Sequence, residues 1–560
     1  MQLEYIVTLH RREDLESFYE DMETEGGDLF IPNRAVEVAN KRPVSRNTHY
    51  MLTIDEVELL RQDDRVWAVE PAALGNLDEP AGYKIDEKFS KDWFSDTSDT
   101  NWGLLRHSEE LNRTNWGADG TTNISDELYI SASGKHVDVV IVDGHIDPLH
   151  PEFSVNPDGT GGSRVVQFNW FSLNPQVTFT NAGTYLYETN GSYTDPSNVQ
   201  ENNHGVHVAG TVAGNTQGWA REANIYNIYP YSNGPNGSAG SGGLVWDYIR
   251  VWHENKPINP ETGRRNPTIT NHSYGSPIRP GHATLSNGLG LVERMNYRGQ
   301  DFNPGRELTV AELQARGCYV SGANDSMEIP YYFTGRFADM EDAHDAGVIS
   351  TGSAGNDYWK MVVGGDQDYN NTITVPWEYT SGQFINQTFY IHRGSGSQSA
   401  YPNQIAVGAL SNDVDEAKTG FSNCGNLVDI YAAGEGIISS LLTGGSADPR
   451  NGAYQLGKYQ GTSMAAPQIA GLLACLAEHW PNINQISSQS WLINNATTDE
   501  MYDSDLDDPM EIESLQGGPN KMARWYNLRQ ETGNNFPRRN FKERTTSGLC
   551  YPRQRIRRRG

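Results

Sequence analysis

The chain has 560 residues, 36% hydrophobic and 10% aromatic, which excludes wholesale disorder and leaves room for more than one domain. No apolar run approaches the ~18–20 residues that a bilayer-crossing helix needs, so no membrane partner is expected. The formal net charge of −28 would repel phosphates, so a nucleic-acid partner is not expected either.

Taken in order, Tyr5-Ile6-Val7-Thr8-Leu9 alternates like a strand and residues 12–22 read as a polar helix. A second apolar stretch lies at Tyr50-Met51-Leu52. Thr53 is placed to cap a short amphipathic helix, Ile54-Asp55-Glu56-Val57-Glu58-Leu59-Leu60. Val66-Trp67-Ala68-Val69-Glu70 closes the unit, giving a small α+β domain over residues 1–75. The opening residues carry neither the basic start nor the apolar core of a signal peptide, so synthesis in the cytoplasm is expected. Residues 76–100 lapse into Gly, Pro, Asp and Ser, the composition of a linker and of a processing site. Cys318, Cys424, Cys475 and Cys550 are scattered, without a CxxC pair or a Cys/His cluster, so reduced thiols and no structural metal are expected.

From residue 101 to 505 the pattern is α/β. His136-Val137-Asp138-Val139-Val140-Ile141-Val142 is nearly continuous and apolar, as in a strand buried on both faces. Asp143 follows directly, at the strand end where open α/β sheets place functional groups, although a turn-capping Asp fits equally. His204-Gly205-Val206-His207-Val208-Ala209-Gly210-Thr211 reads as a small-residue helix with His204 at its start. His207, a turn deeper, is read as structural. Ile349-Ser350-Thr351-Gly352-Ser353-Ala354-Gly355-Asn356 is a strand running into glycines and ending in an amide that can donate a hydrogen bond; a plain turn Asn is the alternative. In Gly461-Thr462-Ser463-Met464-Ala465-Ala466-Pro467 small residues crowd a serine ahead of Ile469, Ala470, Leu472, Leu473 and Leu476 at helical spacing. A serine in the first turn of a buried helix is held rigidly beside free backbone N–H groups, which suits a nucleophile whose attack creates an oxyanion.

Strand-end Asp, helix His, strand-end Asn and helix Ser, in this order, resemble the subtilisin-like serine proteases (subtilases, peptidase family S8). Ser273-Tyr274-Gly275 resembles the family's substrate-binding strand, with Gly355 beside the oxyanion residue. The match continues through Tyr401-Pro402-Asn403-Gln404-Ile405-Ala406-Val407-Gly408-Ala409 and Phe421-Ser422-Asn423. The resemblance implies a mostly parallel sheet with helices on both faces, and a serine endopeptidase acting on a protein or peptide substrate. It assigns catalysis to Asp143, His204 and Ser463, with Asn356 as oxyanion donor. It also implies that residues 1–75 are an inhibitory propeptide, so that the chain's own N-terminal domain is a partner and is removed by autoprocessing.

Some residues depart from the family pattern. Asp143 is followed by Gly144-His145, where the family usually carries a small hydroxyl residue and then Gly, and Val206 stands between Gly205 and His207 in place of the usual Thr. The segment from Ala213 to Ala220 is short, resembling the proteinase K branch, and lacks the loop that supplies calcium ligands in subtilisins. No cofactor is therefore required by this reading, and a structural calcium, if bound, has no assigned ligands. Insertions at 154–203, 276–334 and 357–399 are too long to be structureless in a compact domain.

Residues 506–560 form a basic tail. From 537 onward nine basic residues oppose one acid, so this end is +8 and the remainder −36. Thr532-Gly533-Asn534-Asn535-Phe536-Pro537-Arg538 and Ser547-Gly548-Leu549-Cys550-Tyr551-Pro552-Arg553 repeat an aromatic-Pro-Arg pattern suited to lying extended on an assembly partner. The tail weakly resembles segments of tailed-phage structural proteins, which suggests virion association. The competing reading of the whole chain is a structural or adhesion component using the same fold with little proteolysis.

Overall fold

The computed structural model describes residues 3–11, 14–26, 29–30, 38–40, 47–71, 101–108, 130–168, 170–173, 199–228, 244–275, 292, 294–302, 309–318, 320–321, 326–327, 334–380, 383–393, 404–413, 416–504 and 511–525. The expected linker at 76–100, the repeated tail motifs and Tyr401-Pro402-Asn403 lie outside the described residues. Contacts divide the chain into two units, Met1–Lys84 and Ile85–Gly560.

In the first unit, β1 (Leu3–Leu9), α1 (Leu15–Glu23), β2 (Val38–Asn40), β3 (Asn47–Leu52), α2 (Ile54–Leu60) and β4 (Val66–Pro71) follow in order. The strands form an antiparallel sheet in the order β2-β3-β1-β4. Val7 and Leu9, two residues apart on one face of β1, share a core with Phe18 and Met22 of α1 and Val57 and Leu60 of α2. The N-terminus of α2 is fixed where Thr53 suggested, its N–H donating to Glu56 Oε2 at 2.6 Å. The three-residue β2 has too short a pattern to be read from sequence.

The second unit opens with α3 (Trp102–Ser108), β5 (Asp138–Val142), α4 (Val199–Ala213), β6 (Asn224–Ile228), α5 (Leu244–Asn255) and β7 (Thr268–His272). The middle insertion carries β8 (Arg294–Tyr297), β9 (Gln300–Phe302), α6 (Val310–Gln314), β10 (Val320–Ser321) and β11 (Ser326–Met327), and α7 (Thr334–Asp345) begins at its last residue. There follow β12 (Val348–Ser353), β13 (Thr372–Thr380), β14 (Gln383–Tyr390), β15 (Ile405–Leu410), β16 (Ile430–Ala433), β17 (Ile437–Leu441), β18 (Ser446–Asp448) and β19 (Asn451–Tyr459). The unit closes with α8 (Thr462–His479), α9 (Gln485–Asn495), β20 (Thr497–Thr498) and β21 (Lys521–Met522).

Eight strands make one sheet in the order β20-β21-β16-β15-β12-β7-β5-β6. Every pairing in it is parallel except β20 with β21. The pattern of β5 shows why it must be central: Val139 and Ile141 enter the core shared with α4 and α8, whereas Val140 and Val142 enter the core shared with α5 and α7. Strand order reverses at β5, because β6 lies on one side of it and β7 on the other. Such a switch opens a crevice at the carboxyl ends of the strands. Asp143, Ser273 and Ala354 directly follow β5, β7 and β12, three neighbours in that sheet.

The insertions do carry structure of their own. Strands β8 and β9 from the middle one join β13 and β14 from the last in an accessory antiparallel sheet, order β14-β13-β8-β9. Met295, Leu313, Trp359, Ile373, Val375 and Phe389 give that sheet a separate core.

One expectation is corrected. The helix expected to open at His204 begins at Val199, so His204 lies in its second turn. Asn203, polar and therefore unlike the apolar run that follows, is still helical because its amide reaches out: Nδ2 donates to Thr443 O at 3.1 Å and Oδ1 accepts from Leu442 N at 2.8 Å.

The shortness of the segment after α4 also has a physical counterpart. Glu152, fully buried, accepts from Thr216 Oγ1 at 2.6 Å and from the Thr216 and Gln217 N–H groups. The positive charge facing it is the guanidinium of Arg450, itself paired with Asp448.

Helix α3 is buried along most of its length, and its polar groups are answered inside the protein. His107 Nδ1 donates to Ala523 O at 2.8 Å, and its Nε2 accepts from Ala433 N–H at 2.9 Å. The His107 carbonyl accepts from Trp525 N–H at 2.6 Å. Arg106, 1% exposed, meets Glu416, 2% exposed, with Nη2 donating to Oε2 at 2.8 Å. Removing one member of a buried pair strands the other charge, whereas replacing both with apolar residues of similar size does not. Glu416→Gln leaves Arg106 only the more distant and half-exposed Glu500, at 3.5 Å, and should lower unfolding stability by up to roughly 3–5 kcal/mol. The double variant Arg106→Met, Glu416→Leu should lose less than the single, as read from urea unfolding followed by tryptophan fluorescence.

Candidate active site

Two groups of side chains gather at the crevice. In the first, Asp143 is 5% exposed and accepts from its own neighbour, Gly144 N–H, at 2.7 Å. Its carboxylate faces His204 Nδ1 at 2.8 Å and 3.0 Å. A carboxylate can only accept, so Nδ1 carries the hydrogen and Nε2 of the neutral ring is left as the basic nitrogen. Burial pushes the His204 ring down, but the charge and hydrogen bond of Asp143 outweigh it and the net shift is upward. His207 behaves differently. It is fully buried, bonds Ile437 O through Nε2 at 2.9 Å, stacks on Tyr459 and is pushed down to about 3, chiefly by burial. Those contacts make its role structural.

The second group surrounds Ser463, the second residue of α8. Pro467 lies four residues on and has no N–H, so the Ser463 carbonyl lacks its usual helical donor. Ser273 Oγ fills the gap, donating to Ser463 O at 3.0 Å. Ser463 Oγ in turn donates to Ser273 O at 3.1 Å. Asn271, buried in β7, steadies Ser273 by donating from Nδ2 to its Oγ at 2.9 Å.

Asn356 is exposed, but its orientation is fixed. One of its amide atoms receives both the Thr462 N–H, at 2.9 Å, and the Thr462 Oγ1–H, at 2.8 Å. Only the oxygen can accept from a backbone N–H, so Nδ2 is turned the other way. Gly461, at φ 147° and ψ 162°, occupies a conformation that only glycine adopts readily. A Cβ there would lie 3.4 Å from Asn356 Nδ2 and 3.6 Å from Ser463 N. Asn356 Nδ2 and Ser463 N thus border the same position beside Gly461. Gly355 is similarly constrained, with φ +106° and a Cβ position 2.4 Å from Asn423 Nδ2. Its N–H donates to Thr462 Oγ1 at 3.1 Å.

Asp143 and His204 are therefore joined, and Ser273, Gly355, Asn356 and Ser463 are knit together through Thr462. Among the described residues no hydrogen bond links Ser463 to His204; the serine hydroxyl is spent on Ser273 O. Helices α4 and α8, which carry the two, pack on each other. Tyr274 turns its ring into the core beneath β7, with its hydroxyl 3.1 Å from His272 Nδ1, and Gly275 ends the described part of that segment. Val206 is fully buried in the apolar core, which explains a methyl in place of a hydroxyl. His145 is half-buried, and burial pushes its ring down.

Sequence reasoning named Thr462 and Asn423 only as members of motifs, with no role, and did not name Asn271. Asn423 binds the loop after β12 from below, donating to Ala354 O at 2.8 Å and accepting from Asp357 N and Trp359 N at 3.1 and 2.8 Å. The available signal was a polar residue inside an otherwise buried strand, as at Asn271, since a buried amide must find partners. Among the described residues no group of three or more His, Cys, Asp or Glu side chains could hold a metal ion, and no helix is long and apolar enough to cross a membrane.

The chain is similar to proteins already known. A family model described as the subtilase family matches residues 134–518. The chain is 24% identical over 373 residues to a subtilisin-like protease 3 of Trichophyton tonsurans, covering 66% of this chain and 60% of that protein. It is 22% identical over 430 residues to a cuticle-degrading serine protease of Arthrobotrys oligospora, covering 77% of this chain and 69% of that one. Against the first of these the chain thus spans about three fifths of the relative's length. A crystal structure of a cold adapted subtilisin-like serine proteinase aligns with a TM-score of 0.42 and 17% identity, over 77% of this chain and 99% of that one. With the family model covering well over half of its residues, the chain belongs to the subtilase family.

Proposed function

We propose that the protein is a serine endopeptidase that hydrolyses peptide bonds through an acyl-enzyme. The observation that carries this reading is the pairing of His204 Nδ1 with the buried Asp143 at the crevice where Ser463 begins α8. Ser463 Oγ attacks the scissile carbonyl carbon, and His204 Nε2 takes the hydroxyl proton. The carbonyl oxygen becomes an oxyanion that accepts from Asn356 Nδ2 and Ser463 N–H. Collapse expels the amine, which takes the proton from His204, and water repeats the sequence to release the acid. Asp143 holds the imidazole in the required tautomer and stabilises its charged form. Thr462 keeps the Asn356 amide from flipping, and the Ser273–Tyr274–Gly275 and Gly355 segments receive the substrate backbone.

Residues 1–75 are proposed to be an inhibitory propeptide released by the chain's own activity, and the basic tail to dock on an assembly partner, which would place the enzyme in a virion. The competing reading, a structural component with incidental chemistry, is favoured by one observation: Ser463 Oγ is bonded to Ser273 O and not to His204. Labelling with a fluorophosphonate separates the two, because only a serine activated by its histidine reacts rapidly.

Intact-mass analysis should show wild type losing its first residues by a cut between 72 and 100, the stretch bounded by β4 and by Asn101, whose N–H is bound to Gln217 Oε1 at 2.8 Å. Ser463→Ala should stay full length. Loss of activity without loss of the wild-type cut would mean that another protease matures the chain.

Because the basic form of His204 is needed and its affinity for protons is raised, the acid limb of kcat/KM should lie above pH 6.5. Asp143→Asn removes what raised it while burial remains, so the limb should move to lower pH as kcat falls by roughly 10⁴. An unshifted limb would assign the titration to another group. Asn356→Ala should cost about 10²–10³ in kcat with little change in KM, because its bond is made to charge that exists only in the transition state.

A further inference from the structure

The accessory sheet holds a cleft of about 270 Å³ lined by Tyr297, Arg298, Gln300, Phe302, Ala315 and Arg316. Two arginines side by side are conspicuous in a chain whose net charge is −28, and they are not equivalent. Arg298 is committed to the protein. Its Nε and Nη2 meet the carboxylate of Asp368 at 2.7 and 3.2 Å, and its backbone N–H donates to Asn371 Oδ1 at 2.6 Å. Asp368 is 2% exposed and also holds Lys360 Nζ at 2.7 Å.

Arg316 has no such answer. Its guanidinium lies over the Phe302 ring, 3.8 Å from the centroid, and Nη1 donates to the Glu312 carbonyl at 2.6 Å. Its Nε is buried with no acceptor. Among the described residues no carboxylate pairs with it. Glu312 turns its side chain to Thr309 N and Oγ1 at 2.8 and 3.0 Å, and Asp301 is held by Arg294 and Asn296. A charged donor left unmet beside aromatic walls is expensive unless something supplies the acceptor.

We propose that this cleft is a carboxylate-binding site, separate from the crevice of Ser463, with Arg316 as its anchor. A guanidinium offers planar pairs of donors that match the two oxygens of a carboxylate. Nη1 is already engaged and Nε is buried, so Nη2 is the donor that remains for the ligand. Uncompensated among the described residues, the Arg316 charge balances a monoanion; a phosphate dianion would bring a second charge that the described lining does not answer. Tyr297 and Phe302 suit an organic stem, and the volume admits a group the size of one side chain. The carboxylate comes either from a glutamate or aspartate of a polypeptide or from a small organic acid. Neither source depends on the peptidase reading.

The test is isothermal titration of the full-length Ser463→Ala protein with benzoate, with the peptide acetyl-Gly-Glu-Gly-amide, and with inorganic phosphate. Saturable binding of benzoate or peptide is expected, with phosphate weaker. Arg316→Gln should weaken it roughly 10- to 100-fold, the usual effect of losing a charged hydrogen-bond donor. Arg294→Gln, on the same sheet but 60% exposed and paired with Asp301, should leave it unchanged. Tighter peptide binding assigns the site to a polypeptide, tighter benzoate binding to a small acid. Should Arg316→Gln fail to fold by circular dichroism, Arg316→Lys keeps charge and stem while losing the planar edge, and an intermediate loss is expected. The proposal falls if neither carboxylate saturates, if phosphate binds as tightly, or if every folded Arg316 variant binds as well as the parent.

Discussion

A missing hydrogen organises the crevice. Pro467 cannot donate to the carbonyl of Ser463, and a bare carbonyl in a buried first turn must be satisfied by something else. Ser273 at the end of β7 supplies the donor, and Ser463 returns a hydrogen bond to the Ser273 carbonyl. The start of α8 is thereby fastened to the central sheet at the residue that must not move. Thr462 fastens it a second time, to the loop after β12, through Asn356 and Gly355. Rotation or slippage of the helix would have to break both ties together, so the position of Ser463 is set by the fold itself.

Much of this was legible in the sequence, for a physical reason. Strand β5 is apolar from Val139 to Val142 because both its faces are covered, and Asp143 follows it because a charge cannot continue that run. Glycines at 355 and 461 are obligatory where backbone geometry or a neighbouring atom forbids a Cβ, and such positions can be read from a string of letters. The rest was not legible because it depends on distant partners. Nothing near His204 shows that the helix already runs from Val199, since Asn203 is stabilised by Leu442 and Thr443. The accessory sheet rests on pairing Asn296 with Thr372, far apart in the chain, and local pattern carries no register.

Several charges of the second unit are buried where another charge answers them. Glu152 with Arg450, Arg106 with Glu416, and Asp138 with Lys256 at 2.8 Å are internal pairs whose members are almost without solvent. Asp143 belongs to the same class, except that its partner is an imidazole whose charge comes and goes. A fold that tolerates these pairs gains orientation more than stability, because desolvation offsets most of the attraction.

The three hydrogen bonds of His107 have a mechanical meaning. They clasp α3, the first described element of the second unit, to Ala523 and Trp525 at its last described residues, with Ala433 of β16 between them. A tug on the chain from either side of that unit therefore loads all three bonds side by side, not one after another. Fraying, the ordinary way in which a chain comes apart from its ends, would have to break these bonds before it reached β16. The unit behaves as a closed loop with a single buckle, and the buckle sits on the sheet that carries the crevice.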